Sequence, residues 1–354
     1  MKEKIQQKLS NNSLVKRVTS SDELSIEDVP RITSDTVAEH REQVIKKARK
    51  YMFPLQQARH RIIGITVTLL VVTLIGFLGY STLALYRFHS SSTFIYKVSQ
   101  VIPFPIARSG GKFVLYEDYL FQLRRYTHYY ESQLKLDFES TEGKQQLEAF
   151  RKQALASIVD NAYVKTIAKE QGVTVSESDI DKQIQLLREE NRLGNSDEVF
   201  EDVLQDYWGW SVADFRRSLR DQLLAQNLVA KLDTEATVKA NEALAKLRAG
   251  ADFGEVAKSY SDDPAAKENA GTVGVVERTN RDIPVQTINS LYNLKEGEIS
   301  AVINTGYSLD IVKNVKTRPD GKIEASRVVI NFKDISTYLN DQKSKAPTRT
   351  YVSF

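Results

Sequence analysis

Residues 305–332, TGYSLDIVKNVKTRPDGKIEASRVVINF, read as two apolar strands joined by a Pro-Asp-Gly turn. A hairpin needs a sheet, so its remaining strands and covering helices must come from upstream. Going back along the chain, a strand over 299–304 follows a turn at Gly297, and a short helix covers 284–294. An Ala-Gly-Thr-Val-Gly segment, a Ser-Asp-Asp-Pro loop and a short helix over 252–260 precede it. A longer helix over 234–248 stops at Gly250, a residue suited to a helix C-terminus. Between Leu224 and Gly250 nothing alternates and no β-branched run occurs, so no strand precedes that helix.

Helical periodicity dominates 113–232. A short strand at 113–115 leads into a helix whose Tyr116, Tyr119, Leu120, Leu123 and Tyr130 share a face. That tyrosine-rich face either forms core or grips extended apolar peptides, because tyrosine combines area with a polar tip. A second helix carries Leu147, Phe150, Ala154, Leu155, Ile158 and Ala162 to a stop at Gly172, and a third opens on a capping box of Ser176 with Asp179. A fourth spans 196–207, and a fifth starts at Ser211 with Asp214 three residues on, setting Phe215, Leu219, Leu223 and Leu228 toward a core. Trp208 and Trp210 bracket Gly209 at a helix junction and read as core or interface.

Residues 62–86, IIGITVTLLVVTLIGFLGYSTLALY, carry no charge over 25 positions. At about 1.5 Å per residue they cross a hydrocarbon core of about 30 Å. About sixty mostly polar residues come first, which marks a permanent single-pass anchor rather than a cleaved signal. Seven Lys/Arg lie between Arg41 and Arg61, but only Arg87 and Lys97 in the fifteen residues after Tyr86. The N-terminus is therefore expected in the cytoplasm and everything after residue 87 outside the cell membrane. Residues 1–61 read as a cytoplasmic tail, disordered over about the first 33 positions. A basic helix capped by Ser34 follows, and it either rests on anionic lipid or only sets topology. His40 and His60 read as surface residues, and 87–112 as a linker bearing Ser, Pro and Gly.

At 354 residues the chain can hold about two domains with cores. A net charge of +3 argues against a nucleic-acid footprint. There is no cysteine, which excludes disulfides and thiolate chemistry, and none of the four histidines lies beyond His128. No Walker loop, Rossmann glycine motif or His-Glu-x-x-His occurs, so neither cofactor nor metal is expected. Asp262/Asp263 and Arg188/Glu189/Glu190 lack metal-ligand spacing and read as solvated faces.

Residues 246–315 resemble the parvulin (PpiC-type) peptidyl-prolyl cis-trans isomerases. The pieces come in order: GADF at 250–253, AKSYS at 257–261, GTVG at 271–274, LKEGEIS at 294–300 and TGY at 305–307. The helical stretch resembles the N-terminal chaperone region of SurA-like and PrsA-like exported foldases, in VLYEDYL, AKEQGVTVSESDID and WSVADFRRSLRDQLLAQNLVAKL. The resemblance implies an α+β chain. It comprises a transmembrane helix, an all-α SurA-like module at 113–232, a parvulin-like four-stranded antiparallel sheet with helices at 233–345 and a tail at 346–354. The family's first strand, of the type Ala-Ser-His-Ile-Leu-Ile, is missing before the helix at 234. EASRVVINF at 324–332 looks like it, displaced to follow the last strand. This describes a circularly permuted parvulin domain, with a helix at 334–343 standing for the one that normally follows that strand. The alternative is the start of a truncated second repeat, which would leave the sheet without a central strand.

The family's site, two histidines and a Cys or Asp beside an apolar cup, maps residue by residue. Asp263 takes the Cys/Asp position, Arg327 that of the first-strand histidine, and Ser308 or Asp310 that of the last-strand histidine. In the cup, Val273, Ile283 and Thr287 or Ile288 stand for the family's leucine, methionine and phenylalanine. Both imidazoles and the aromatic wall are gone. An Arg327 facing Asp263 or Asp310 makes an ion pair, and one at a strand edge points to solvent. The resemblance therefore implies a membrane-anchored foldase that binds unfolded exported polypeptides, with isomerase activity weak or lost. Two alternatives remain: an active isomerase, and a scaffold binding one envelope partner, favoured by the long cytoplasmic tail.

Overall fold

The computed structural model describes residues 33–52, 59–109, 111–189 and 196–354, so the expected N-terminal disorder falls outside the described residues. The chain divides into two units, Met1–Phe77 and Leu78–Phe354. In the first lies helix α1 (Ser34–Met52), with none of its residues buried. Its cap is Thr33, one residue before the expected Ser34: Thr36 N–H donates to Thr33 Oγ1 at 3.4 Å. Helix α2 (Arg59–Tyr86) contains an apolar stretch, Arg61–Tyr86, long enough to cross a membrane.

The expected linker over 87–112 is folded instead. Ser92 caps α3 (Thr93–Val101), and β1 (Pro105–Ser109) pairs antiparallel with β2 (Lys112–Leu115). The segment orders because Ile95, Val98, Phe104, Ile106 and Ala107 are all buried. Helices α4 (Tyr116–Ser132), α5 (Thr141–Glu170), α6 (Glu177–Glu189), α7 (Asp197–Trp208) and α8 (Val212–Leu232) follow. Both reciprocal caps form, Ser176 with Asp179 and Ser211 with Asp214. Phe121, Ile180, Phe200, Leu204, Trp210, Phe215 and Leu219 make a common core. Tyr116 and Tyr119 are buried as well, so at these two positions the tyrosine face is core. Arg217 grips Glu117 through two parallel bonds of 2.6 and 2.7 Å and tethers α8 to α4.

The sheet domain begins with α9 (Thr234–Arg248) and α10 (Phe253–Tyr260), then the short α11 (Pro264–Glu268), β3 (Thr272–Val276) and α12 (Val285–Tyr292). Strands β4 (Ile303–Asn304), β5 (Ser308–Thr317) and β6 (Ile323–Asn331) complete it. The strand expected over 299–304 is reduced to two residues, with an isolated bridge from Ile299 to Lys313. Strand order is β3-β6-β5-β4, all antiparallel, so the strand that follows the last family motif lies inside the sheet. Both edges of β6 are satisfied. Beyond the reach of β3, Arg327 N–H donates to Gly271 O at 2.7 Å, Val329 N–H to Ser261 Oγ at 3.2 Å and Asn331 N–H to Asp262 Oδ2 at 3.0 Å.

Helices cover both faces of this sheet. On one, Ala236, Ala240, Ala243 and Leu247 of α9 and Phe253, Val256 and Ala257 of α10 pack on Leu309, Ile311, Val328 and Ile330. On the other, Ile288 and Leu291 of α12 pack with Ile283 on Val312, Ile323 and Ala325. Double coverage explains why Ser308 to Val312 are buried consecutively rather than alternately.

The final segment departs from expectation. Helix α13 (Ile335–Lys345) does not stand in for a helix of the sheet domain; it packs on α5, with Lys343 Nζ 2.6 Å from Asp160 Oδ1. The residues read as a tail, 346–354, form β7 (Arg349–Thr350), which pairs with β1 and completes a sheet ordered β2-β1-β7. Tyr163 Oη donates to Ala346 O at 2.5 Å, and the Phe354 ring stacks on Tyr119 at 5.3 Å. The sheet domain thus ends near residue 332 rather than 345, because the apolar partners of the last segment lie on the helical module.

Candidate functional site

Alternation along β5 places Leu309 and Ile311 under α9 and α10, and Ser308, Asp310 and Val312 on the face toward α12. Asp310 is completely buried there, at 0 % exposure. Its Oδ2 accepts from Arg327 Nε at 2.8 Å and from Thr287 Oγ1 at 2.7 Å, and its Oδ1 from Ser308 Oγ at 2.9 Å. Ser308 is fastened in turn: its N–H donates to Thr305 Oγ1 at 3.1 Å, and the two hydroxyls lie 2.9 Å apart. Burying a carboxylate is costly without a counter-charge and hydrogen-bond donors, and the cluster supplies both.

Four of the expected site residues, Asp310, Arg327, Thr287 and Ser308, therefore meet at one point. Asp263 does not join them. Its Oδ1 caps α11 by accepting from Ala265 N–H at 3.0 Å, and it is the neighbouring Asp262 that pairs, with Lys239 Nζ at 2.5 Å. The expected apolar cup is not an open surface either. Ile283 and Ile288 are packed into the core beneath α12, and Val273 alone of the cup positions is exposed. Thr305 was legible only as part of a motif; its role in anchoring Ser308 depends on a tight turn at Gly306, whose φ is +92°.

Chemically, the cluster is a fixed ion pair dressed by two hydroxyls. A guanidinium keeps its proton at every accessible pH and offers no acceptor, so it cannot alternate between donor and acceptor as an imidazole can. Such a pair orients side chains and holds the strands in register.

A second site lies in the helical module. A groove of about 510 Å³ is lined by Tyr96, Phe121, Arg124, His128, Trp208 and Trp210 among others. Phe121 and Trp210 stack in parallel at 5.1 Å, with Arg125 over the Trp210 ring and Arg217 over Phe121. Gly209, at φ +64°, ends α7 and lets the chain pass the His128 ring, where a Cβ would stand 2.9 Å from Nδ1. Phe121 and Trp210 are themselves buried and form the floor, while the half-buried rings of Tyr96 and Trp208 are the aromatic surface that an extended polypeptide could meet.

Comparison with known proteins locates both regions. A family profile described as SurA-like N-terminal domain matches residues 52–229, and one described as PPIC-type PPIASE domain matches 223–316. The second match stops before β6. The foldase protein PrsA of Clostridium kluyveri is 27% identical over 192 residues, 52% of this chain and 53% of that protein. PrsA of Caldanaerobacter subterraneus subsp. tengcongensis is 24% identical over 226 residues, 59% of this chain and 70% of that protein. The chaperone SurA of Albidiferax ferrireducens is 27% identical over 210 residues, 46% of this chain and 45% of that protein. The chain thus spans about half the length of the Clostridium kluyveri relative.

Proposed function

We propose, from the premise that this chain belongs to the SurA-like N-terminal domain family and carries a PPIC-type domain, that it is a membrane-anchored foldase whose work is holding unfolded polypeptides outside the cytoplasm. On this reading the domain from about 233 to 332 is a circularly permuted parvulin fold that has kept its architecture and lost most or all prolyl isomerisation. Residues 62–86 tether it to the lipid bilayer, with the N-terminus inside. The interior place of β6, between β3 and β5 of one sheet, supports permutation over a truncated repeat.

One observation carries the functional part: the side chains at the cup positions Ile283, Thr287 and Ile288 are buried, whereas the helical module has a groove of about 510 Å³ whose walls include the half-buried rings of Tyr96 and Trp208. Isomerisation requires a catalyst to bind the twisted amide better than either planar form, against a barrier of about 18–20 kcal/mol. A filled cup and a locked Asp310–Arg327 pair offer nothing that tightens on twisting. Holding a chain loosely asks only for accessible aromatic and apolar area.

The test uses the full chain in detergent micelles. Proline tetrapeptides in a protease-coupled assay are expected to isomerise at the uncatalysed rate, while aggregation of several unrelated unfolded clients is suppressed at near-stoichiometric ratio. Replacing half-buried groove residues, as in Tyr96→Ala with Trp208→Ala, weakens that suppression. Turnover abolished by Asp310→Asn in a folded protein would overturn the reading in favour of an active isomerase. Silence in both assays with one stable co-purifying partner would favour a scaffold.

A further inference from the structure

The spanning helix does not hand over to a tether. Ser81, Ala84 and Leu85 of its last turns are buried within the second unit. Tyr116 Oη donates to Leu85 O at 2.8 Å, Tyr86 Oη donates to Pro105 O at 2.5 Å, and the two rings meet edge to face at 5.1 Å. The chain then reverses at once, since Arg87 and Phe88 N–H both return to Leu83 O and Ser90 N–H returns to Ala84 O. Helix α3 is thereby fastened near the end of α2 on both sides: it starts seven positions after Tyr86, and Pro105, bonded to Tyr86, follows its last residue by four. At about 1.5 Å per residue a nine-residue helix is about 13 Å long, so no part of α3 lies far from the bilayer exit.

The inner face of α3 buries Ile95, Val98 and Ser99. Its outer face presents Phe94, Lys97 and Val101 at i, i+3 and i+7, with Val101 82% exposed and, just beyond the span, Phe88 73% exposed. Arg87 and Lys97 are exposed too. No acidic residue occurs anywhere between Glu42 and Glu117, whereas Arg87, Lys97, Arg108 and Lys112 follow the span. Apolar side chains flanked by cations, in a segment that carries no carboxylate of its own, suit an anionic membrane interface, and Glu117 meets α3 through Tyr96 rather than through this face.

We propose that this face, Phe88, Phe94 and Val101 with Arg87 and Lys97, lies in the interfacial layer of the same bilayer against anionic phospholipid headgroups, pinning the helical module to the membrane surface. The inference rests on the membrane-anchor reading and goes further, because an anchored module can equally well stand clear of the lipid. Being joined to the span, the face meets the interface as an intramolecular second contact, for which modest affinity suffices. Ser91, Ser92, Thr93 and Tyr96 of the same segment line the aromatic groove, so pinning α3 sets the mouth of the groove beside the membrane.

The absence of cysteine makes the test clean. The full chain is reconstituted in vesicles of phosphatidylcholine with phosphatidylglycerol, bearing one nitroxide label at Val101→Cys, at Leu74→Cys in the span, or at the exposed Val238→Cys of α9 as an aqueous control. Collision with oxygen, which concentrates in lipid, is compared with collision with an aqueous nickel chelate. The oxygen-to-nickel ratio at 101 is expected to exceed that at 238 by at least about fivefold, and to fall by at least about half in an Arg87→Glu/Lys97→Glu background or in pure phosphatidylcholine. A ratio at 101 equal to that at 238, with the label at 74 in lipid, overturns the surface contact and leaves the anchor standing. Shielding of 101 from both probes indicates a protein contact and also overturns it. An unchanged ratio in the charge-reversed variant overturns the role of anionic headgroups. A label at 74 open to the chelate removes the anchor and this inference together.

Discussion

Asp310 concentrates what is unusual about the sheet domain: a carboxylate with no exposed surface, held by one guanidinium and two hydroxyls. Removing one partner of such a pair strands the other in low dielectric, while removing both lets apolar packing replace them. Arg327→Met is therefore expected to destabilise the sheet domain by about 3–5 kcal/mol, and Arg327→Met with Asp310→Leu to recover most of that loss. Hydrogen exchange of the β6 amides in increasing urea measures both, since the two tryptophans lie in the other module and do not report on the sheet. At this scale sequence reading left Arg327 facing Asp263, Asp310 or solvent, because residue type says nothing of which of two nearby carboxylates, if either, meets the guanidinium. Asp263 was misplaced for a local reason: an Asp directly before Pro264 is an efficient helix cap, and that bond claims its side chain.

Among elements, β6 decides the domain. It is hydrogen-bonded on both edges and supplies Val328 and Ile330 to one core and Ile323 and Ala325 to the other. Proline at Val328 removes a donor from an interior strand, and a loss of about 3 kcal/mol or more is expected, enough to expose the sheet to protease at native temperature. Limited proteolysis with mass mapping checks this, and cleavage confined to the turn between Arg318 and Lys322 would contradict it. The interior place of β6 was legible because the strand pattern was missing before α9 and present after β5. The helix boundaries were legible to within a residue or two, since Ser-x-x-Asp boxes and positive-φ glycines act locally. The folding of 87–112 was not, because α3 and β1 draw their order from distant partners and short segments rich in Ser and Pro carry a weak periodic signal.

On the scale of the whole molecule, the return of β7 to β1 joins early and late parts of the second unit. Removing residues 348–354 is expected to lower the melting temperature of the helical module and leave amide protection in β3 to β6 unchanged, as hydrogen exchange on the full and shortened chains will show. The same junction responds to acid. His89 packs edge-on against Phe354 at 4.9 Å, and burial, then Arg151 and Arg87, hold its pKa below the usual 6.5. The folded state thus prefers the neutral ring, so this contribution is present above about pH 6.5 and declines as pH falls below it. Tryptic cleavage after Arg349 should quicken between about pH 7.5 and 5.5, relative to a control peptide, and His89→Gln should flatten the dependence.

Arg108 and Arg349 face one another although 241 positions separate them along the chain. A polypeptide made from its N-terminus yields these two strands at widely separated times, and closing so long a loop is slow. During synthesis β1 therefore waits with one edge unpaired until nearly all of the second unit has been made. A chain so wired closes its first sheet last.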